Sequence, residues 1–195
     1  SAAKEYIKVY GVLVGKKPVI FTNNDSGYET AIEFKKNGVD SIILDSRKNP
    51  QSEIIDEAKN LRIKIKFSYV VVAAKGYKKV KSADIAKISD DKEKLGKIEN
   101  IRCDCICVSG FWTPTIHLSS QSGNKTKFNK DIDAFVPGTS KQNEKTLGAA
   151  NGVYTLDETL KISFETVHEI SKQITNNDNK ISFPNVVEKK SGHHD

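Results

Sequence analysis

Lys17-Pro-Val-Ile-Phe-Thr-Asn-Asn-Asp-Ser-Gly-Tyr-Glu-Thr-Ala31 runs from an apolar stretch through a short polar turn into a helical pattern. The run Pro18 to Thr22 has the continuous apolar character of a strand buried on both faces. Ser26 or Asp25 can cap the helix that follows. Its inner stripe is Tyr28, Ala31, Ile32 and Phe34, and Asn37-Gly38 stops it. Ile42, Ile43 and Leu44 predict a second strand with Asp45 at its carboxyl end. Strand, turn, helix, strand is the layout of a dinucleotide-binding unit. In the usual G-x-G-x-x-G turn, the first two glycines let the backbone bend sharply and approach a pyrophosphate at the helix N-terminus. Thr22 and Asn24 stand in those two places here, and Gly27 keeps the third. The layout predicts the fold, while the turn departs from the chemistry.

Working outward, Ala3 to Gly11 carries Tyr6, Ile7, Val9 and Tyr10 at helical spacing and predicts a short helix before the first strand. Ile54, Ile55 and Ala58 predict a crossover helix over residues 52–60, leading to a strand with Ile63 and Ile65 and a right-handed crossover. From Phe67 to Ile88 the pattern becomes alternating. It reads as an antiparallel meander with a turn at Lys75-Gly76, followed by a charged loop over residues 90–97. Ile98 to Val108 reads as one closing strand, on which Cys103, Cys105 and Cys107 share a face. They read as small core residues, because a metal site would need a fourth ligand and a turn between pairs. Beyond Gly110 the composition shifts toward Ser, Thr, Asn and Gly. Leu156, Leu160, Phe164, Val167, Ile170 and Ile174 then mark an amphipathic helix, opened by Thr155 and stopped at Asn176-Asn177.

The fold expected is α/β: a Rossmann-like three-layer nucleotide-binding domain with a central parallel sheet and an antiparallel meander, plus part of a neighbouring FAD/NAD-type domain. Residues 1–16 form an upstream helix and connection, and 17–110 the degenerate nucleotide-binding-like domain. Residues 111–176 form a returning segment of the adjacent domain, and 177–195 a polar tail. The 195 residues include no Met, so the sequence is expected to be a piece of a longer polypeptide. No apolar run reaches membrane-spanning length and no signal-peptide layout is present, so a soluble cytoplasmic protein is expected. Although the net charge is +6, all but three of the 31 basic residues are Lys, and they are scattered among Asp and Glu. That pattern is a solvated surface and not a nucleic-acid footprint.

The helix N-terminus carries a partial positive charge, and Asn23, Asn24 and Ser26 place short polar groups around it. Asp25 would repel a phosphate there unless it points away. Asp45 lies where an acid meets the ribose 2′-hydroxyl of NAD, and Arg47 could instead favour a 2′-phosphate. A plain connection between strand and helix accounts for the same residues equally well. Val108-Ser-Gly-Phe-Trp-Thr-Pro-Thr-Ile-His-Leu118 gathers a Gly, the only Trp and a His, with no nucleophile turn of a hydrolase. His117 reads as a structural group, and the His193 and His194 pair carries little weight. Leu147-Gly-Ala-Ala-Asn-Gly152, preceded by Phe135-Val-Pro-Gly138, looks like the return by which a flavoprotein touches its dinucleotide, or else a plain loop with a helix start.

With these blocks in order, residues 3–160 resemble the central region of the alpha subunits of heterotetrameric sarcosine oxidases. The carrying segments are Phe21-Thr-Asn-Asn-Asp-Ser-Gly-Tyr28, Val108 to Leu118 with Ser119-Ser-Gln-Ser122, Ala134-Phe-Val-Pro-Gly138 and Gly148-Ala-Ala-Asn-Gly152. The family's Ser-Gly-Gly-Trp-Asn-Pro is here Ser109-Gly-Phe-Trp-Thr-Pro114. The resemblance implies a large subunit with a flavoprotein-like half and a folate-binding half, assembled with beta, gamma and delta subunits. Sarcosine would be oxidised to glycine with hydrogen peroxide and, with tetrahydrofolate, methylenetetrahydrofolate. The resemblance places the amine-oxidising flavin on the beta subunit, with FAD and FMN in the complex and NAD on alpha. It maps Thr22, Asn23, Asn24, Asp25 and Ser26 onto a degenerate second nucleotide site, beside which Asp45 stands as a ribose candidate by its spacing alone. Ser109, Gly110, Gly148, Ala149 and Asn151 map onto segments that complete the first. No residue here is expected to be catalytic, and the piece is expected to be inactive alone. A related amine dehydrogenase such as N-methylglutamate dehydrogenase, or a non-binding assembly module, would share these motifs.

Overall fold

The apolar run becomes β1 (Pro18–Thr22) in a computed structural model, which describes residues 2–89, 94–110, 112–175 and 186. The helix α1 (Ala2–Tyr10) precedes it, and α2 (Ser26–Lys36), β2 (Ile42–Asp45), α3 (Glu53–Asn60) and β3 (Lys64–Phe67) follow. The described residues fall into two compact units, 2–110 and 112–175.

In the first unit, a four-stranded sheet has the order β3, β2, β1, β7, where β7 is Cys105–Ser109, and every neighbouring pair is parallel. Between β3 and β7 the chain makes β4 (Tyr69–Gly76), β5 (Val80–Lys87) and β6 (Glu99–Arg102), an antiparallel three-stranded meander. Alternating β1 residues face opposite layers. Ile20 packs with Tyr28, Ala31, Phe34, Ile55 and Ala58 in the helical layer, and Val19 packs with Leu44, Ala83, Ile85 and Cys103 in the meander layer. The expected three-layer architecture is therefore present, and each fully buried aliphatic or aromatic side chain adds about 1.5–3 kcal/mol.

Three local expectations change. The stretch expected as one strand over 98–108 is two strands in two sheets. Asp104 turns the chain between them, its carboxylate accepting hydrogen bonds from the Lys16 and Lys17 amides, each at 2.8 Å. Cys103 consequently sits buried at the crossing, while Cys105 and Cys107 lie on β7 with their sulfurs 3.8 Å apart. The expected turn at Lys75-Gly76 moves outward, because β4 runs through Gly76. The helix α2 has Asp25 at its N-cap position, yet the Asp25 side chain makes no capping bond. Asn24 takes over that task, its Oδ1 accepting from the Ser26 amide at 3.0 Å.

The second unit contains α4 (His117–Gln121), the hairpin of β8 (Thr126–Asn129) with β9 (Ala134–Pro137), a 3-10 turn at Gly148–Asn151 and α5 (Leu156–Thr175). Thr155 precedes α5 as expected, its hydroxyl donating to the Glu158 carboxylate at 2.8 Å. The expected helix stop at Asn176-Asn177, as well as His193 and His194, lies outside the described residues. None of the described helices is long and apolar enough to cross a membrane.

Candidate functional site

In a parallel sheet of this order a ligand is met at the carboxyl ends of the strands. Strand register brings Thr22 beside Asp45 on one side and Ser109 on the other, so three of the expected site residues share that edge. The turn leaving β1 completes it.

The turn is filled by its own side chains. Thr22 donates its hydroxyl to the Asn24 carbonyl at 2.7 Å and accepts from the Asn24 amide at 3.2 Å. Asn24, 2% exposed, donates through Nδ2 to the Gly110 carbonyl at 2.7 Å and to Asn23 Oδ1 at 3.1 Å. Its Oδ1 accepts from the Ser26 amide and from the Ser26 hydroxyl at 2.7 Å, and Ser26 and Ser109 join their hydroxyls in a short contact. The Asn23 amide donates to the Ser109 carbonyl at 3.4 Å. Side chains of Thr22 and Asn24 thus occupy the volume that the first two glycines of the fingerprint leave open.

The retained glycine has a different task. A Cβ on Gly27 would lie 2.6 Å from Thr22 Cβ and 2.7 Å from its Oγ1, so only Gly lets α2 pack this closely on β1. That is the structural function of the third glycine of the fingerprint, close packing of helix on strand.

Both acids of the site are buried and engaged. Arg47 donates through Nη2 to Asp25 Oδ1 and to Asp45 Oδ2, each at 2.9 Å, and through Nε to Asp45 Oδ1 at 3.1 Å. Its backbone amide caps the same Asp45 oxygen at 2.9 Å, and the Tyr28 hydroxyl donates to Asp45 Oδ2 at 2.6 Å. Burial works against the Arg47 charge, and the two carboxylates outweigh it, so its pKa rises above the ordinary value. Burial, and then the bond to Asp45, push the Tyr28 phenol well above its usual range. Arg47, considered in the sequence for a 2′-phosphate, is therefore turned inward, and Tyr28, read only as core, supplies the fourth polar partner. Thr22 and Asn24 thus stand at the places of the two cradle glycines, and Arg47 is engaged by two acids.

In the second unit, Gly148 has φ +64 and Gly152 φ +83, conformations that favour glycine, and an added Cβ at Gly152 would meet Ile132 Cδ1 at 2.5 Å. Both glycines thus have local reasons for being there. Ala149 is exposed, and exposed Asn151 borders a polar cavity of about 860 Å³ that Asn143, Thr146 and Gln173 also line. A network of buried Ser119 and Asn124 with half-buried Ser122 and Glu144 supports one wall.

No protein-family model matches the chain. Over 156 residues it is 28% identical to sarcosine oxidase subunit alpha of Corynebacterium sp. (strain P-1), and over 152 residues 33% identical to that of Rhizobium meliloti (strain 1021). The chain is related to sarcosine oxidase alpha subunits. The matches cover 79% and 77% of this chain but only 16% and 14% of the relatives' own length. Among solved structures, the flavoprotein disulfide reductase RclA from Escherichia coli superimposes with a TM-score of 0.58 at 11% identity, covering 86% of this chain and 37% of that one. Bacillithiol disulfide reductase Bdr from Staphylococcus aureus gives 0.55 at 15% identity, covering 71% and 44%. At such identities the structural likeness speaks for the fold alone, a Rossmann-like α/β scaffold.

Proposed function

We propose that this chain is the scaffold region of an oxidoreductase subunit of the sarcosine oxidase alpha kind, and that its first unit is a nucleotide-binding fold closed by its own side chains. The observation that carries the reading is the division of labour at the turn: the packing glycine Gly27 is kept, and the two ligand-facing places are filled by Thr22 and Asn24. In this reading Asp45 and Asp25 hold Arg47 and not a ribose. Ser109 and Gly110 lock the turn. Ala149 and Asn151 are the residues from the resemblance left to meet the dinucleotide, NAD in the complete subunit.

The complete assembly would oxidise the N-methyl group of sarcosine, yielding glycine, hydrogen peroxide and, with tetrahydrofolate, methylenetetrahydrofolate. Flavins and the beta, gamma and delta partners would lie outside this chain. An NMR titration of the chain with NAD, NADP and FMN tests the closed turn. The expected result is no saturable shift at the amides of Asn23 to Ser26, and saturable shifts there would overturn it. Assaying the complete complex on sarcosine and on N-methylglutamate separates the two amine substrates.

A further inference from the structure

At the carboxyl edge the polar side chains bond to one another, whereas the opposite edge of the same sheet gathers cationic side chains around a cavity. The amino ends of β1, β2 and β3 lie side by side, Val19 in register with Ile42 and Ile42 with Lys64. Arg102, the last residue of β6, reaches the same place. Together they line a cavity of about 280 Å³ walled by Pro18, Val19 and Ile42. Lys17, Arg62, Lys64 and Arg102 surround it, and Lys35 is already held by Asp40 at 2.5 Å. Among the described residues none of those four side chains is ion-paired. Two of the protein's three arginines are therefore at one cavity, in a chain whose basic residues are otherwise nearly all Lys.

Ser41 gives an independent indication. It is 4% exposed, it lines the cavity, and its buried Oγ has no hydrogen-bond partner. A buried hydroxyl without a partner costs stability, and an acceptor entering beside it would remove that cost. Arg62 adds a third observation. It stands just past the end of α3 with φ +56, its amide bonded to the Lys59 carbonyl and the Ile63 amide to that of Ala58. Glycine is the usual residue at such a helix end, so a side chain is being carried there at a conformational cost.

We propose that this amino-edge cavity is an anion site for a phosphate group, inorganic or carried by a small ester. Arg62 and Arg102 supply planar forks that match a phosphate's oxygens, Lys17 and Lys64 supply point charges, and Ser41 supplies the neutral donor. Asp40 on the cavity wall is held by Lys35 and lies near Lys64, and Asp104 lies near Lys17, yet cations still outnumber acids at the cavity, which suits a dianion better than a single carboxylate. The site lies at the edge away from the nucleotide turn and does not depend on what that turn binds.

The test is an NMR titration of the isotope-labelled 195-residue chain with sodium phosphate at constant ionic strength, with chloride and succinate as comparison anions. Saturable shifts at the amides of Ser41, Ile42, Arg62 and Lys64, absent with chloride, are expected. Arg102→Gln should weaken phosphate binding at least roughly tenfold, the scale of one lost hydrogen bond to a charged group. Ser41→Ala provides a second readout: it should weaken phosphate binding while leaving the free chain as stable as before or more so, because it removes an unsatisfied hydroxyl. Glycerol phosphate competing at the same amides would assign the site to esters, and inorganic phosphate binding alone would assign it to the free ion. Shifts equal for phosphate and chloride, tighter succinate binding, or phosphate affinity unchanged in both variants would overturn the proposal. So would a response only to an acidic peptide, which would make the cavity a protein contact.

Discussion

At the carboxyl edge of the parallel sheet, Thr22, Asn24, Asp25, Asp45 and Ser109 all have partners, and an arginine neutralises two acids. At the amino edge, four cations surround a cavity and a buried hydroxyl is left unsatisfied. The motif-bearing edge is saturated, and the edge without a motif is not. A position within a fingerprint therefore says where the fold can place a ligand, and unspent polar groups say where it still has reason to. Polar groups that have found each other have little to gain from a ligand, since binding must first break what they already make.

The comparison breaks most sharply at Arg47. Removing its guanidinium leaves Asp25 and Asp45 buried without their cation, and Arg47→Ala should cost about 3–5 kcal/mol in urea unfolding. Combining it with Asp45→Asn should recover part of that loss. If Arg47→Ala were instead nearly silent in stability and created NAD binding, the edge would be a gated site and not a closed one. Gly27→Ala should follow at about 2–3 kcal/mol, because its new Cβ would press on Thr22 at 2.6 Å. Pairing it with Thr22→Gly removes the three atoms nearest the new Cβ, so the two changes should be strongly non-additive. Additive costs would mean that the glycine is kept for its backbone and not for packing.

Tyr28→Phe should cost about 1–2 kcal/mol near neutral pH through the lost bond to buried Asp45. It also carries a pH signature. The phenol pKa is raised in the folded state, so its contribution is fully present below the unfolded value of about 10 and declines as pH rises above it. Wild type should therefore lose stability between pH 9 and 11 more steeply than Tyr28→Phe does, measured by urea midpoints. Parallel curves would show that the edge is more hydrated than its burial implies.

How much of this was legible in the sequence depended on the range of the interaction. β1, α2, β2 and α3 could be read because each writes its own period: Pro18 to Thr22 is continuously apolar, and Tyr28, Ala31, Ile32 and Phe34 repeat on one helical face. The split of residues 98–108 could not be read. Ile101, Cys103, Cys105 and Cys107 alternate unbroken across it, and the change of sheet is made by amides of Lys16 and Lys17, far away in the chain. Arg47, two residues from Asp45, suggested a 2′-phosphate contact, and nothing local in the sequence announced the ion pairs it makes through the inward path of its side chain to Asp25 and Asp45. The amino-edge cavity draws on residues from 17 to 102 with no motif among them, so nothing local announces it.

Asp104 offers the finest test of how the two edges differ. It follows Cys103 at the change of sheet and lies beside Lys17 of the amino edge, and it is exposed, accepting from two backbone amides at 2.8 Å. Partial burial acts to raise its pKa, and the amides of Lys16 and Lys17 outweigh that and lower it. The bond pair is therefore fully stabilising above the unfolded value near 4 and is lost as pH falls through the folded one. Asp104→Asn keeps the size and an acceptor but removes the charge. Because solvent screens an exposed group, its cost at pH 7 should be below about 1 kcal/mol, with a shallower loss between pH 4 and 2 than wild type. The same substitution takes a negative charge from beside Lys17, so it should tighten phosphate at the amino-edge cavity while leaving the amides of Asn23 to Ser26 unmoved. A change at both edges would mean that they are electrostatically one site, and the distinction drawn between them would fail.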